Sequence, residues 1–352
     1  MAENLKLADC YPYTYVRVAT MKAKLLNRDD YNKLLKMSFA EITKFLQDSE
    51  YKKEINELAM ELSGADLLEA ALNKNIVASF NKLLRISPDE LGLLINAHLR
   101  RYDYYNVKSI LRGKFASLNK DAIKKMLVPI SLNSGKFYEK LLEETSTQKM
   151  LESSGLLDKK TISVLVKESE DTSSLLLIEN SLDKAYFNYA FEFSERIPEH
   201  GQLFKEFILN EIDILNIKLL LRMKKGGVTE KQLSQHICMF GSELNKRILK
   251  QILKLDYKDT IKELEKTSFK RIIKKHKEAL LSGASLVEFE NDLDKYLLKK
   301  SLLLLHQNPL SIDIIIGYMF AKEVELMNLK TIVKSRQLGL KEDFISKQLI
   351  VA

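Results

Sequence analysis

Asp103-Tyr-Tyr-Asn106-Val-Lys108-Ser-Ile-Leu111-Arg112-Gly-Lys114 is echoed twice further along the chain. It returns as Asp213-Ile-Leu-Asn216-Ile-Lys218-Leu-Leu-Leu221-Arg222-Met-Lys224, and again as Glu325-Leu-Met-Asn328-Leu-Lys330-Thr-Ile-Val333-Lys334-Ser-Arg336. The shared template is acid, two residues, Asn, apolar, Lys, three residues, base, one residue, base. The asparagines lie 110 and 112 residues apart, a period that suits a small domain and far exceeds a solenoid repeat.

Two further landmarks keep step. Pro88, Pro198 and Pro309 precede their asparagines by 18, 18 and 19 residues. A shorter signature lies upstream: Glu69-Ala-Ala-Leu72-Asn73-Lys74, Glu179-Asn-Ser-Leu182-Asp183-Lys184 and Glu290-Asn-Asp-Leu293-Asp294-Lys295. The pattern predicts three similar helical-bundle domains, residues 1–117, 118–227 and 228–352, each one copy of a single unit.

A chain of 352 residues is long for one hydrophobic core, which agrees with several domains. Apolar residues make up 45% and charged residues 30%, with 12 Gly, 5 Pro and no Trp; that balance favours an all-α protein over a disordered or all-β one. Cys10 and Cys238 form no C-x-x-C pair, so free thiols in a reducing compartment are expected. The opening residues lack the apolar core of a secretory signal, and the longest apolar runs fall far short of the roughly 20 residues that cross a bilayer.

Helix boundaries can be read at several places. Ser38-Phe-Ala-Glu41 and Thr229-Glu-Lys-Gln232 have the form of capping boxes, in which the hydroxyl and the third helical residue exchange bonds with each other's backbone N–H. Ser87-Pro88-Asp89-Glu90 combines a cap with a proline at the first helical position. One helix is expected from Pro88 to about Phe115, about 42 Å long at 1.5 Å per residue. Gly64 reads as a stop, Gly226-Gly227 and Gly339 as ends of the second and third motif helices, and Lys341 to Val351 as a closing helix.

On such a helix Val107 and Leu111 form an apolar stripe, with Asp103 and Asn106 on one flank and Lys108 and Arg112 on the other. The acid and the bases are too far apart around the helix to satisfy one another. Each is expected to meet a group on a neighbouring segment, because charge beside a buried stripe is costly when unpaired. The candidate interface or interdomain pairing residues are therefore Asp103, Asn106, Lys108 and Arg112, with Asp213, Asn216, Lys218 and Arg222, and with Glu325, Asn328, Lys330 and Lys334. One arrangement sets the acidic flank of one unit against the basic flank of the next; the plainer one keeps every motif within its own bundle.

The net charge of +8 is concentrated. Between Lys246 and Lys277 twelve Lys or Arg face four carboxylates, which accounts for the whole excess. Such a run reads first as a solvated helix face, then as a contact for an acidic partner, and last as a nucleic-acid surface, which would usually carry more Gly or stacking aromatics. No phosphate loop, H-E-x-x-H or G-x-S-x-G occurs. His98, His200, His236, His276 and His306 are scattered, and the His236-Ile-Cys238 pair diverges on a helix. No catalytic residue, metal site or cofactor is expected.

The chain resembles the C subunits of the archaeal and bacterial A-type (V-type) ATP synthases, the counterparts of the d subunit in eukaryotic V-ATPases. The resemblance rests on Tyr15-Val-Arg17-Val, Met21-Lys-Ala-Lys-Leu25-Leu26, Tyr51-Lys-Lys-Glu54 and the threefold Asp-x-x-Asn-x-Lys-x-x-x-Arg pattern, from which the third copy departs with Glu325 and Lys334. It implies an all-helical, funnel or ring-like body of three related domains. Such a protein would join the central-axle subunits to the membrane rotor ring, one copy per complex and monomeric when isolated, and pass torque between ATP chemistry and ion movement. It would be cytoplasmic and reach the membrane only through the complex. A helical scaffold or adaptor unrelated to rotary machines is the alternative reading, with nucleic-acid binding through residues 246–277 as a separate variant of it; no nucleic-acid partner is expected.

Overall fold

The computed structural model describes residues 12–87, 89–130, 135–172, 174–196, 201–307 and 313–351. The motif prolines Pro88, Pro198 and Pro309, and Cys10, lie outside them. The described residues form helices joined by short turns, with no strand among them. The chain divides into two compact units, one made of Met1–Pro88, Lys224–Gly226 and Lys254–Ala352, the other of Asp89–Met223 and Gly227–Leu253.

The first unit begins with α1 (Pro12–Lys22), α2 (Arg28–Leu34), α3 (Phe39–Gln47), α4 (Lys52–Leu58) and α5 (Gly64–Arg85). The second unit carries α6 (Asp89–Leu99), α7 (Arg101–Phe115), α8 (Lys120–Met126), α9 (Gly135–Glu143), α10 (Thr147–Ser154), α11 (Lys159–Thr172), α12 (Leu176–Arg196), α13 (Gly201–Lys225), α14 (Glu230–His236) and α15 (Lys246–Lys254), except that Lys224 and Lys225 at the end of α13 and Lys254 at the end of α15 belong to the first unit. The chain then completes the first unit with α16 (Tyr257–Leu264), α17 (Lys270–Lys275), α18 (Lys277–Leu281), α19 (Val287–Gln307), α20 (Asp313–Gln337) and α21 (Glu342–Gln348).

Local sequence explains the short helices. Ser38 accepts from the Glu41 N–H at 3.4 Å while Glu41 accepts from the Ser38 N–H at 2.8 Å, so the expected capping box opens α3. Thr229 and Gln232 do the same for α14, and Asn27 with Asp30 for α2. Gly64 is not a stop: it takes φ +58° as the first residue of α5, a left-handed conformation that a glycine adopts without the Cβ penalty.

In the first unit α20 is the central element, packed against α19, α5 and α1. Ile314, Ile315, Ile316, Tyr318, Met319 and Phe320 are all buried, so this helix is apolar on every side at its N-terminal half, as a helix enclosed by others must be. α5 contributes Leu68, Leu72, Ile76, Phe80 and Leu83, a three-to-four-residue rhythm that aims one face inward; each such side chain contributes roughly 1.5–3 kcal/mol of transfer free energy. In the second unit α13 has the enclosed character, with Phe204, Phe207, Ile208, Ile212, Ile217 and Leu220 fully or almost fully buried. α12 packs on α6, α7, α11 and α14.

The expected single helix from residue 88 to 115 is instead α6 and α7, separated at Arg100. The chain tightens there, the Asp103 N–H bonding the Arg100 carbonyl three residues back at 2.9 Å, which is 3₁₀ geometry.

Candidate functional site

The motif asparagines are buried, Asn106 and Asn216 at 0% exposure and Asn328 at 2%, and each does the same thing. Asn106 donates to the Val128 carbonyl at 2.9 Å and accepts from the Val128 N–H at 2.8 Å. Asn216 donates to the Cys238 carbonyl at 2.8 Å and accepts from the Cys238 N–H at 3.1 Å. Asn328 donates to the Ile350 carbonyl at 2.7 Å and accepts from the Ile350 N–H at 2.8 Å. In all three the partner lies 22 residues ahead, just beyond the short helix α8, α14 or α21. The side chain reproduces the pairing of a neighbouring strand, so both polar groups of a buried residue just past a helix end are satisfied where the helix no longer satisfies them.

The same requirement corrects the closing helix. The sequence predicts that it reaches Val351, yet α21 stops at Gln348 and Leu349 is extended, at φ −74° and ψ 138°. Ile350 is taken up by Asn328 and cannot continue a helix.

The motif acids are also buried but find different partners. Asp103 accepts from the Tyr138 hydroxyl at 2.6 Å. Asp213 accepts from the backbone N–H groups of Glu243 at 2.7 Å and Leu244 at 3.0 Å. A Cβ on Gly241 would overlap Asp213 Oδ1, so only glycine admits the carboxylate this close. Burial pushes the Asp213 carboxyl up to about 6, with the backbone donors pulling the other way. Glu325 accepts from the Leu26 N–H and the Tyr51 hydroxyl, both at 2.6 Å, and from Lys322 Nζ at 2.7 Å. Lys322 also donates to the Tyr51 oxygen at 2.9 Å and sits 4.3 Å from the Tyr51 ring centre, making a buried pair whose charges are fully bonded.

No motif acid in these contacts meets a motif base. The bases reach the acids of the short upstream signature. Arg112 Nε and an Nη hold the two oxygens of Glu179 at 2.5 and 2.8 Å, Lys108 bonds Asp183, and Lys334 pairs with Glu69 at 3.0 Å. Glu69 and Glu179 are the leading residues of their signatures, so the first and third motif helices are matched in the same way to α12 and α5. Lys218 is half-buried and Arg222 exposed on α13. Lys330 is half-buried, and desolvation lowers its ammonium to about 8. The last base of each template caps carbonyls: Lys114 those of Leu141, at 3.1 Å, and Glu144; Lys224 that of Leu255; Arg336 that of Leu35.

The sequence identifies the motif residues but not what they hold. The backbone of Val128, Cys238 and Ile350 carries no side-chain signature. The acids Glu69, Glu179 and Asp183 do carry one, their fixed distance from the motif asparagine; a fixed distance shows that two features travel together and not that one copy touches the next.

Among the described residues no group of three or more His, Cys, Asp or Glu could hold a metal ion, and no helix is long and apolar enough to cross a membrane. Cys238 is buried, and desolvation pushes its thiol up to about 12. In the basic stretch Lys262, Lys266, Lys275 and Lys277 are paired with Asp259, Glu263, Asp292 and Glu265 at 2.7, 2.5, 2.6 and 2.7 Å. The cations of this stretch therefore form a largely solvated, partly neutralised face.

This is an all-helical protein whose recurring polar residues act as structural clamps. The family described as ATP synthase (C/AC39) subunit matches residues 14–348, and the chain belongs to it. It is 33% identical over 349 residues to the A-type ATP synthase C subunit of Methanosarcina mazei, and 35% identical over 346 residues to that of Methanosarcina acetivorans, each alignment covering 97% of this chain and 93% of the relative. The corresponding protein of Halobacterium salinarum is 30% identical over 351 residues, covering 97% of both chains.

Proposed function

We propose that this chain is a non-catalytic central-stalk subunit of a rotary A/V-type ATP synthase, joining the rotor axle to the membrane ion-translocating ring and passing torque between them. In this reading it is built from three related helical domains, residues 1–117, 118–227 and 228–352, in a funnel or ring-like body. One copy serves each complex, and contact with the membrane is made through the ring subunits.

The observation that carries the reading is the match to A-type ATP synthase relatives over nearly the whole chain, joined to the repeated asparagine clamp. A part that transmits torque must resist shear between its helices. Each clamp fixes the chain after a short helix to the centre of a motif helix by two buried hydrogen bonds, and Arg112–Glu179 adds a bidentate ion pair between helices.

Affinity capture of the tagged protein from gently solubilised membranes tests the proposal. Axle and ring subunits of the ATP synthase are expected in the eluate in constant ratio with one copy of the tagged chain. Recovery of the head subunits without axle or ring would overturn the central-stalk placement, and recovery of the chain alone would overturn the proposal altogether.

A further inference from the structure

A groove of 530 Å³ in the first unit is lined by Arg271, Ile272 and Lys275 of α17 and by Asp292, Lys295, Tyr296 and Lys299 of α19. Lys275 and His276 meet Asp292 at 2.6 and 2.8 Å, while Phe269, just before α17, packs on Tyr296 with ring centres 5.2 Å apart. The contacts ascend along one helix as they descend along the other, so the two walls of the groove run antiparallel.

This register separates the groove into two ends of different charge. At one end Asp292 draws in Lys275 and His276, with Lys295 3.8 Å away. Burial works against the Asp292 charge, yet the hydrogen bonds from Lys275 and His276 hold its carboxyl below the usual range. At the other end Arg271 and Lys299 are exposed, and neither has an ion-pair partner among the described residues. Between the ends lie Ile272 and Tyr296, the latter anchored by Ser268 at 3.2 Å.

The antiparallel pairs Lys275–Asp292 and Phe269–Tyr296 set Arg271 level with Lys295 on the opposite wall, so Arg271 and Lys299 are offset by about one helical turn, about 6 Å along the groove, with Tyr296 between them. We propose that this groove is a docking site for an acidic helix of a protein partner, one that presents carboxylates four residues apart with an apolar residue between them. The carboxylates meet Arg271 and Lys299, and the apolar residue rests on Ile272 and Tyr296. A flat anionic bilayer would engage protruding cations and leave the concave apolar floor empty. The charge pairing sets partner choice and encounter rate, and the floor supplies the desolvated contact.

The test uses the full-length protein and two labelled synthetic helical peptides of identical composition, with fluorescence anisotropy as the readout. One peptide carries Glu at i and i+4 flanking Leu; the other places the two Glu on opposite faces. The patterned peptide is expected to bind about tenfold more tightly than its isomer, and the Arg271→Glu/Lys299→Glu variant to lose at least about tenfold of that affinity, because both charge pairs are replaced by repulsion. A control reversal of two other exposed lysines, Lys36→Glu/Lys52→Glu, is expected to leave it within about twofold, with circular dichroism matching for all three proteins. Equal affinity for the two peptides, equal loss in the control, or no binding to either peptide would overturn the proposal. So would flotation with phosphatidylserine vesicles that depends on Arg271 and Lys299 while the peptides fail to discriminate. The measurement involves no other part of an ATP synthase, so its outcome is independent of the central-stalk reading.

Discussion

Asn328 holds both backbone groups of Ile350, close to the end of the chain, through bonds of 2.7 and 2.8 Å. Removing the carboxamide leaves a buried N–H and a buried carbonyl without partners, each costing about 1–3 kcal/mol. Asn328→Ala is therefore expected to lower stability by about 3 kcal/mol in chemical denaturation. Asn328→Asp keeps the acceptor but turns a second oxygen toward the Ile350 carbonyl, and is expected to do no better. A change below about 0.5 kcal/mol in both variants would show that the clamp holds nothing that matters to folding.

The Arg112–Glu179 pair is a different kind of contact. It is bidentate, but the arginine side chain is 55% exposed against 17% for the glutamate, so solvent screens much of its Coulomb energy. A double-mutant cycle with Arg112→Ala and Glu179→Ala is expected to give a coupling of about 0.5–1 kcal/mol. Arg112→Lys keeps the charge but not the fork, and is expected to recover less than half of that coupling.

How much of this is legible in sequence depends on whether side chains or backbone make the contact. The motif stands out because three copies repeat Asn, Lys and a final base at one spacing, and the capping boxes at Ser38 and Thr229 are local enough to read directly. The all-helical class follows from composition and periodicity. The partner of each asparagine does not, because a backbone N–H and carbonyl look the same at every residue. The enclosed position of α13 and α20 is hidden for a related reason: a stripe drawn from Val107 and Leu111 describes one face, whereas the run from Ile314 to Phe320 is buried all round. The turn at Arg100 also escapes, since no glycine or proline marks it.

Asp213 gives the protein a pH dependence whose sign can be worked out. Its carboxyl titrates at about 6 when folded, against about 3.9 in an unfolded chain. The folded state therefore binds the proton more tightly, and this group favours folding below about pH 4, with the contribution lost as pH rises through about 6. The difference amounts to about 3 kcal/mol. Asp213→Asn is expected to be less stable than the parent at all pH values, because its amide faces the Glu243 N–H. It should also lose this slope, so that the gap between the two proteins widens from about pH 7 to about pH 4. A gap that stays constant across that range would show that Asp213 titrates normally. Gly241→Ala, which crowds Asp213 Oδ1, should be destabilising at neutral pH through the same buried carboxylate.

Cys238 combines burial with a thiol pushed up to about 12, and the thiolate is the reactive form. In a Cys10→Ser background a disulfide reagent at about pH 8 is expected to label less than about a tenth of the protein in the time that labels it fully in denaturant. Rapid labelling under native conditions would mean that the chain around the second clamp opens readily.

Glu325 collects the Leu26 N–H, the Tyr51 hydroxyl and Lys322 within 2.7 Å, so one carboxylate ties α20 to two places near the start of the chain. Because the Lys322 and Glu325 side chains are 4% and 3% exposed, deleting either charge strands the other in a poorly solvated site. Glu325→Ala is expected to cost about 3–5 kcal/mol. The paired replacement Lys322→Met/Glu325→Leu removes both charges and should recover more than half of that loss, although the Leu26 N–H stays unsatisfied. Hydrogen exchange separates the two effects: the Leu26 amide should exchange faster in both variants, while amides of α20 are deprotected only in the single one. Protection of α20 lost equally in both would mean that the bonds to Leu26 and Tyr51, rather than charge neutralisation, hold this helix in place.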